Sequence, residues 1–216
     1  MCALVLWSGS AQALAWVALL LVPPGCALAL AWAGHGGRPW AAALAVPLLV
    51  AALATPGTLA GELARIGLIA GACVTAGRLL AGVAPLALLK AGVVAMAAVD
   101  ATFIFGQLSD AQNAQFAAAV AAPGLPQLQI ARLGGASCDF GDFFAAALVG
   151  AIVARERSGQ LLAAAATFLV TQAFDQLFLV VDWLPATVPP AVVMLALEVR
   201  RRRRVAPAMP RPLRAP

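Results

Sequence analysis

The chain has 216 residues, of which 63% are hydrophobic and 11% are charged, and its formal net charge is +5. Ordinary soluble domains carry about 25% charged residues, so this composition excludes that class. The positive charge does not indicate nucleic acid as a partner, because five arginines stand together at Arg200–Arg204, directly after an apolar run. A basic run beside a membrane helix is typical of a cytoplasmic anchor facing anionic lipid.

The apolar runs predict helices that cross a bilayer, since a crossing needs about 20 mostly apolar residues and a backbone without water must be helical. The first span is expected over about residues 3–22, where Pro23-Pro24 should stop it, and the run 26–33 is too short to cross alone. Later spans are expected over about residues 40–54, 63–82, 84–106, 140–154, 160–181 and 186–199. The sequence therefore predicts an all-α, polytopic membrane helix bundle with about seven to nine transmembrane helices.

Residues 1–199 are expected to form one membrane-embedded helical domain, and residues 200–216 a basic, Pro-rich disordered tail. The arginine run predicts that the C-terminus is cytoplasmic and that the protein lies in the plasma (inner) membrane. Counting back along the spans places most other basic residues on or near the same side: Arg38, Arg78, Lys90, Arg155 and Arg157. Arg65 and Arg132 fall on the opposite side.

Metal or redox chemistry has little support in the sequence. The cysteines, Cys2, Cys26, Cys73 and Cys138, show no CxxC spacing and are expected to be small packing residues. His35 stands in a Gly-rich loop without companion ligands. No metal and no cofactor are therefore expected.

Two aspartates stand in apolar surroundings, Asp100 near the end of one predicted span and Asp142 near the start of the next. A carboxylate in hydrocarbon costs at least ~2.5–3.5 kcal/mol, so it is rare there and indicates function. Asp100 precedes the expected helix end at Gly106 by about 9 Å, so consecutive antiparallel helices bring the two carboxylates to similar depth. Carboxylates that meet can share one proton and activate water. The alternatives are a structural hydrogen bond for Asp100 and a helix cap for Asp142.

Three short motifs in one order resemble those of the presenilin and signal peptide peptidase family of intramembrane aspartyl proteases. Val99-Asp100-Ala-Thr-Phe-Ile-Phe-Gly106 is similar to the family's aspartate-bearing sixth helix, and Asp139-Phe-Gly141-Asp142 resembles its GxGD motif. Leu184-Pro185-Ala186-Thr187 is similar to its Pro-Ala-Leu motif. The resemblance covers about residues 84–199. The chain resembles a divergent, prokaryotic-like member of the family.

Three residues depart from the family's pattern. Val99 replaces the usual Tyr, Asp139 replaces the first Gly of GxGD, and Thr187 replaces Leu. Because Asp139 lies three residues before Asp142, both side chains can point to one helix face, which makes Asp139 a rival for the catalytic role.

The resemblance implies a protease whose catalytic pair is Asp100 and Asp142 and whose substrates are transmembrane peptides. It implies substrate-binding roles for Gly141, Pro185, Ala186 and Thr187, and contact with membrane lipid. Oligomeric state and any accessory subunit stay open.

Two other functions fit parts of the same sequence. A small proton- or cation-coupled transporter would use Asp100 and Asp175, although no internal repeat is visible. Type IV prepilin peptidases also carry a GxGD motif, but no basic cytoplasmic segment surrounds the first aspartate.

Overall fold

The computed structural model of the chain describes residues 8–106, 118–134, 136–157, 159–181 and 184–205. Within these ranges the α-helices and strands are, in chain order, α1 (Ser8–Leu28), α2 (Ala45–Ala54), α3 (Leu59–Val83), α4 (Leu86–Phe105), β1 (Ile130–Leu133), β2 (Ala136–Asp139), α5 (Phe140–Arg155), α6 (Gln160–Asp175) and α7 (Val188–Val205). A π-helical segment, Ala29–Ala33, continues α1, and 3-10 helices precede α2 (Pro39–Leu44) and follow α6 (Gln176–Leu179). The predicted helical class is therefore confirmed for the described residues.

Four helical segments are long and apolar enough to cross a bilayer: Ser10–Ala33, Leu59–Val83, Leu86–Phe105 and Gln160–Leu179. The apolar helical stretch Pro39–Ala54 is shorter, and α5 has 16 residues, about 24 Å at 1.5 Å per residue. The described residues therefore support a membrane helix bundle, while the predicted count of seven to nine spans is not reached by length and composition.

The proline pair lies inside α1, so the expected helix stop at Pro23-Pro24 is wrong. An interior proline removes a backbone hydrogen bond and usually breaks a helix. Here the segment packs tightly along α3: a Cβ on Gly25 would lie 3.0 Å from Ala72 Cβ, and the Thr75 hydroxyl donates to the Gly25 carbonyl over 2.7 Å. These contacts support the helix through the prolines, so the run 26–33 forms its last turns rather than a separate piece.

Helix α3 is central and packs against α1, α2 and α5. Small residues permit close backbone approach between membrane helices. A Cβ on Gly71 would lie 2.7 Å from Cys26 Sγ, and one on Gly77 would lie 3.1 Å from the backbone of Ala147. Cys26 and Cys73 are free thiols buried in this core, as their predicted packing role requires. A second apolar cluster joins the end of α3 to α4, α5, α6 and α7.

A two-stranded antiparallel hairpin precedes α5, which the predicted all-α class did not include. Ile130 pairs with Asp139 and Leu133 with Ala136, and the turn between the strands contains Gly134 at a φ of +60°. Such left-handed backbone favours glycine. The Phe140 N–H donates to the Gln129 carbonyl over 3.0 Å, so the ladder runs directly into the helix. The hairpin therefore fixes Asp139 at the start of α5.

Helix α7 extends to Val205, beyond its expected end near residue 199, so Arg200–Arg204 are helical rather than part of a disordered tail. Arginine is a good helix former, and Arg202 pairs with Glu198 one turn earlier over 2.9 Å. Residues 206–216 of the predicted tail lie outside the described residues.

Candidate active site: an aspartate cluster between two helix ends and a proline turn

A short hydrogen bond between distant segments joins Asp100 to Thr187. The Thr187 hydroxyl donates to Asp100 Oδ2 over 2.6 Å, although the residues are 87 positions apart. Asp100 lies in the penultimate turn of α4, and Thr187 lies in the turn just before α7. Thr187 is buried, as are Pro185 and Pro189 on either side of it. The fold therefore brings the first predicted catalytic residue to the predicted Pro-Ala-Thr motif.

Asp139 and Asp142 form a reciprocal capping box at the start of α5. The Asp142 N–H donates to Asp139 Oδ1 over 3.1 Å, and the Asp139 N–H donates to Asp142 Oδ2 over 3.0 Å. Such a box satisfies two backbone donors that a helix start otherwise leaves free. The capping role that the sequence left open for Asp142 is therefore present, and Asp139 shares it.

The capping box leaves little room for a side chain at Gly141. A Cβ at position 141 would lie 2.9 Å from Asp139 Oδ1, closer than ordinary contacts allow. Its place in the motif is thus explained by the cap itself, independently of the substrate-binding role that the resemblance implies.

Asp100 belongs to the same electrostatic neighbourhood as the capping box. Its charge acts on both Asp139 and Asp142, and the latter two act on each other. We call these three residues, Asp100, Asp139 and Asp142, the aspartate cluster. Carboxylates that interact in this way disfavour full ionisation, because each added negative charge raises the free energy of the others.

Asp139 and Cys138 lie in the hairpin, before the first residue of α5, and the pKa of each is raised. Removal of water by surrounding protein atoms raises the pKa of the Asp139 carboxyl, although the N–H groups of Asp142 and Gly141 lower it, and the charge of Asp100 raises it further. Asp139 is nevertheless accessible at the protein surface. Burial also raises the pKa of the Cys138 thiol to about 11, helped by the charges of Asp142, Asp139 and Asp175.

A second charged group ties the opposite ends of the same helices together. Lys90 Nζ donates to Glu156 Oε1 and to Glu198 Oε2, each over 2.5 Å, and Arg201 donates to Glu156 Oε1 over 2.5 Å. Arg202 also pairs with Glu198. We call Lys90, Glu156, Glu198, Arg201 and Arg202 the ion network. It joins the start of α4, the end of α5 and the last turns of α7.

The ion network gives a depth for the aspartate cluster. Asp100 follows Lys90 by ten residues and Thr187 precedes Glu198 by eleven, so both lie about 15–17 Å from the ion network at 1.5 Å per residue. Asp142 precedes Glu156 by fourteen residues, or about 21 Å. The ion network and the aspartate cluster therefore lie at different heights along α4, α5 and α7, about 15–21 Å apart.

Sequence reasoning missed the ion network. The sequence pattern assigns Lys90 only to a side of the membrane, and its partners Glu156 and Glu198 lie 66 and 108 positions away. Arg155 in fact donates to the carbonyls of Ala81 and Ala84, each over 2.6 Å, and so caps the end of α3. The available signal was that two of the three glutamates in the chain, Glu156 and Glu198, stand at predicted span ends beside basic residues.

The remaining predicted residues have defined places. Ala186 is half-buried in the turn between Pro185 and Thr187. Asp175 ends α6 and acts electrostatically on Cys138, next to the aspartate cluster. Among the described residues, no group of three or more His, Cys, Asp or Glu side chains is arranged to hold a metal ion.

Comparisons of the chain with protein-family models, with curated proteins and with solved structures find no match.

Proposed function

We propose that this protein is an intramembrane aspartyl protease that hydrolyses peptide bonds within transmembrane segments. The observation that carries the proposal is the 2.6 Å hydrogen bond from Thr187 to Asp100, together with the interaction of the Asp100 charge with Asp142. The hydrogen bond supports the proposal because it joins two of the three motifs that resemble those of the presenilin and signal peptide peptidase family.

The chemistry follows from two carboxylates that hold one proton. The ionised carboxylate takes a proton from water, whose oxygen attacks the scissile carbonyl carbon, while the protonated carboxyl donates to the carbonyl oxygen. When the C–N bond breaks, the carboxyl that gained a proton delivers it to the departing nitrogen, and the other carboxylate takes a proton from a hydroxyl of the gem-diol, so the pair again holds one proton. Thr187 holds the Asp100 carboxylate in one orientation throughout, which preserves the geometry that such transfers need.

The substrate proposed is a transmembrane helix that unwinds locally, because a peptide bond inside an intact helix is hydrogen-bonded and shielded. Leu184–Thr187 is non-helical beside Asp100 and offers an irregular edge to such a strand. Irregular backbone at depth is tolerated where it lines a water-filled cavity. Gly141, Pro185, Ala186 and Thr187 are the proposed substrate-binding residues.

We also propose that α5 and α7 belong to the membrane-embedded bundle and that the ion network lies at its cytoplasmic surface, in the plasma (inner) membrane. With a hydrocarbon layer about 30 Å thick, Asp100 and Thr187 then lie near its middle. The adjacent arginines of α7 support this orientation by the positive-inside rule.

The test is cleavage of a panel of model transmembrane peptides by the purified protein in detergent. Wild type is compared with Asp100→Ala, Asp142→Ala and Asp139→Ala, and Asp175→Ala is the matched control because it removes a nearby carboxylate outside the proposed pair. We expect the first two variants to lose cleavage and Asp175→Ala to retain it.

Cleavage that survives in Asp142→Ala but is lost in Asp139→Ala would assign the pair to Asp100 and Asp139 instead. If the folded wild type cleaves no peptide of the panel, the protease proposal fails. Proton or cation uptake by the same protein in liposomes, dependent on Asp100 and Asp175, would then favour the transporter.

A further inference from the structure

The helical arginine run of α7 divides between two faces. Arg201 and Arg202 are exposed, but their guanidinium groups pair with Glu156 and Glu198 of the bundle. Arg200 and Arg203 lie one turn apart on the exposed face, and in the described part of the chain neither guanidinium has an acidic partner. Two unpaired cations that share a face form a local excess of positive charge, which attracts anions at that surface.

The surface directly before these arginines is apolar. Val192, Ala196 and Val199 are exposed and recur at the helical spacing of three and four, so they form a stripe that leads to Arg203. Ala196, Val199, Arg200 and Arg203 line an open cleft of about 480 Å³. The small side chain of Ala196 leaves room between its larger neighbours. The cleft therefore has an apolar floor on one side and two guanidinium groups on the other.

We propose that this cleft binds an anionic phospholipid, with the lipid phosphate between Arg200 and Arg203 and an acyl chain along Val192, Ala196 and Val199. Guanidinium groups match phosphate oxygens in geometry and charge, and the apolar stripe matches hydrocarbon. A soluble anion would contact only the arginines, whereas a phospholipid also contacts the apolar stripe. The inference rests on the proposed membrane orientation and is independent of proteolysis.

The probe is phosphatidylglycerol, compared with phosphatidylcholine of the same acyl chains, and retention on the detergent-purified full chain is counted by native mass spectrometry. The variant is Arg200→Gln with Arg203→Gln. The matched control is Arg201→Gln with Arg202→Gln, which removes the same charge from the same turn on the other face. Melting temperatures of all three proteins establish that each is folded.

We expect wild type to retain phosphatidylglycerol in preference to phosphatidylcholine. Each juxtamembrane arginine is worth roughly a five-fold change in affinity for an anionic surface, so the Arg200/Arg203 variant should bind phosphatidylglycerol about 25-fold more weakly than wild type. The Arg201/Arg202 variant should bind within a few-fold of wild type. Equal losses in the two variants would overturn the site, because the effect would then follow net charge.

Competition distinguishes a lipid from a free anion. Inorganic phosphate at millimolar concentration should leave phosphatidylglycerol bound, because it cannot occupy the apolar stripe. Full displacement by inorganic phosphate would overturn the assignment to lipid. A second variant, Ala196→Trp, fills the cleft without altering charge, and unchanged retention of phosphatidylglycerol in that variant would also contradict the proposal.

Discussion

Helices α4, α5 and α7 carry charged groups at two levels, and the charges attract at one level and repel at the other. At one end the ion network sets three cations against two carboxylates, so the charges attract. About 15–21 Å away the aspartate cluster brings carboxylates near one another, and their mutual repulsion opposes full ionisation. The first arrangement stabilises the bundle, and the second lowers its stability. The charges to which we assign a structural role and those to which we assign a catalytic role therefore differ in the sign of the charges beside them.

The largest expected effect comes from neutralising Asp142 without disturbing its cap. Asp142→Asn keeps a side-chain oxygen for the Asp139 N–H but cannot exchange a proton, so cleavage should fall by about 10²–10⁴-fold. Because the substitution removes repulsion, the melting temperature should stay level or rise.

Asp142→Ala separates capping from chemistry. It should lose cleavage equally and also lose about 0.5–2 kcal/mol of stability with the cap. If Asp142→Asn retained cleavage near the wild-type rate, Asp142 would be a cap and nothing more.

Breaking the ion network should affect stability. Lys90→Met leaves Glu156 and Glu198 facing each other with fewer cations, and we expect a loss of about 1–3 kcal/mol in chemical unfolding. Arg202→Gln is the control, since Arg202 is exposed and its pair should contribute only ~0–1 kcal/mol. Equal losses in the two variants would argue against the central role of Lys90.

Removing the hydroxyl that orients Asp100 should have an intermediate effect. Thr187→Val preserves shape and removes the donor, so we expect cleavage to fall about ten-fold with a stability loss near 0.5–1.5 kcal/mol. Thr102→Val is the matched control, because Thr102 lies two residues from Asp100 and donates to the Ala98 carbonyl of its own helix. A larger loss of cleavage in Thr102→Val would contradict the orienting role of Thr187.

The smallest expected effect is on the pH dependence of stability. The pKa of Asp139 is raised in the folded state from an ordinary value of 3.8, so the folded protein binds the extra proton more tightly than the unfolded chain. Its contribution to stability is therefore complete below about pH 3.8 and is lost as pH rises through the folded-state pKa.

Asp139→Asn keeps a good cap and removes this titration. Melting temperatures from pH 4 to pH 8 should decline less in the variant than in wild type. Parallel profiles in the two proteins would show that Asp139 does not carry the dependence.

The sequence predicted helices where an apolar run ends at a clear chemical boundary. Helices α3, α4 and α5 follow their predicted spans closely, because glycine, proline or charged residues mark each end. The prediction failed at Pro23-Pro24, where packing of α1 on α3 outweighs the local preference of proline. It also missed the hairpin, whose four-residue strands are too short and too polar to stand out from a loop.

Part of the site was predictable from the order of the three motifs along the chain. The order of motifs placed Asp100, Asp142 and Thr187 in one neighbourhood, and the hydrogen bond from Thr187 to Asp100 agrees with that expectation. The sequence indicated the reciprocal cap only through the three-residue spacing of Asp139 and Asp142. The ion network depends on pairs 66 and 108 positions apart, which local patterns do not encode.

The ion network also holds the start of α4, so a small rotation there displaces Asp100 further along the same helix. A rotation of α4 by about 5° around Lys90 moves Asp100, at a radius of about 15 Å, through roughly 1.3 Å. A misplacement of about 1 Å can reduce a catalysed rate about 10²-fold. We therefore expect that a conservative substitution in the ion network can slow proteolysis strongly while it barely changes the melting temperature. The substitution would act by displacing Asp100, which the ion network does not contact.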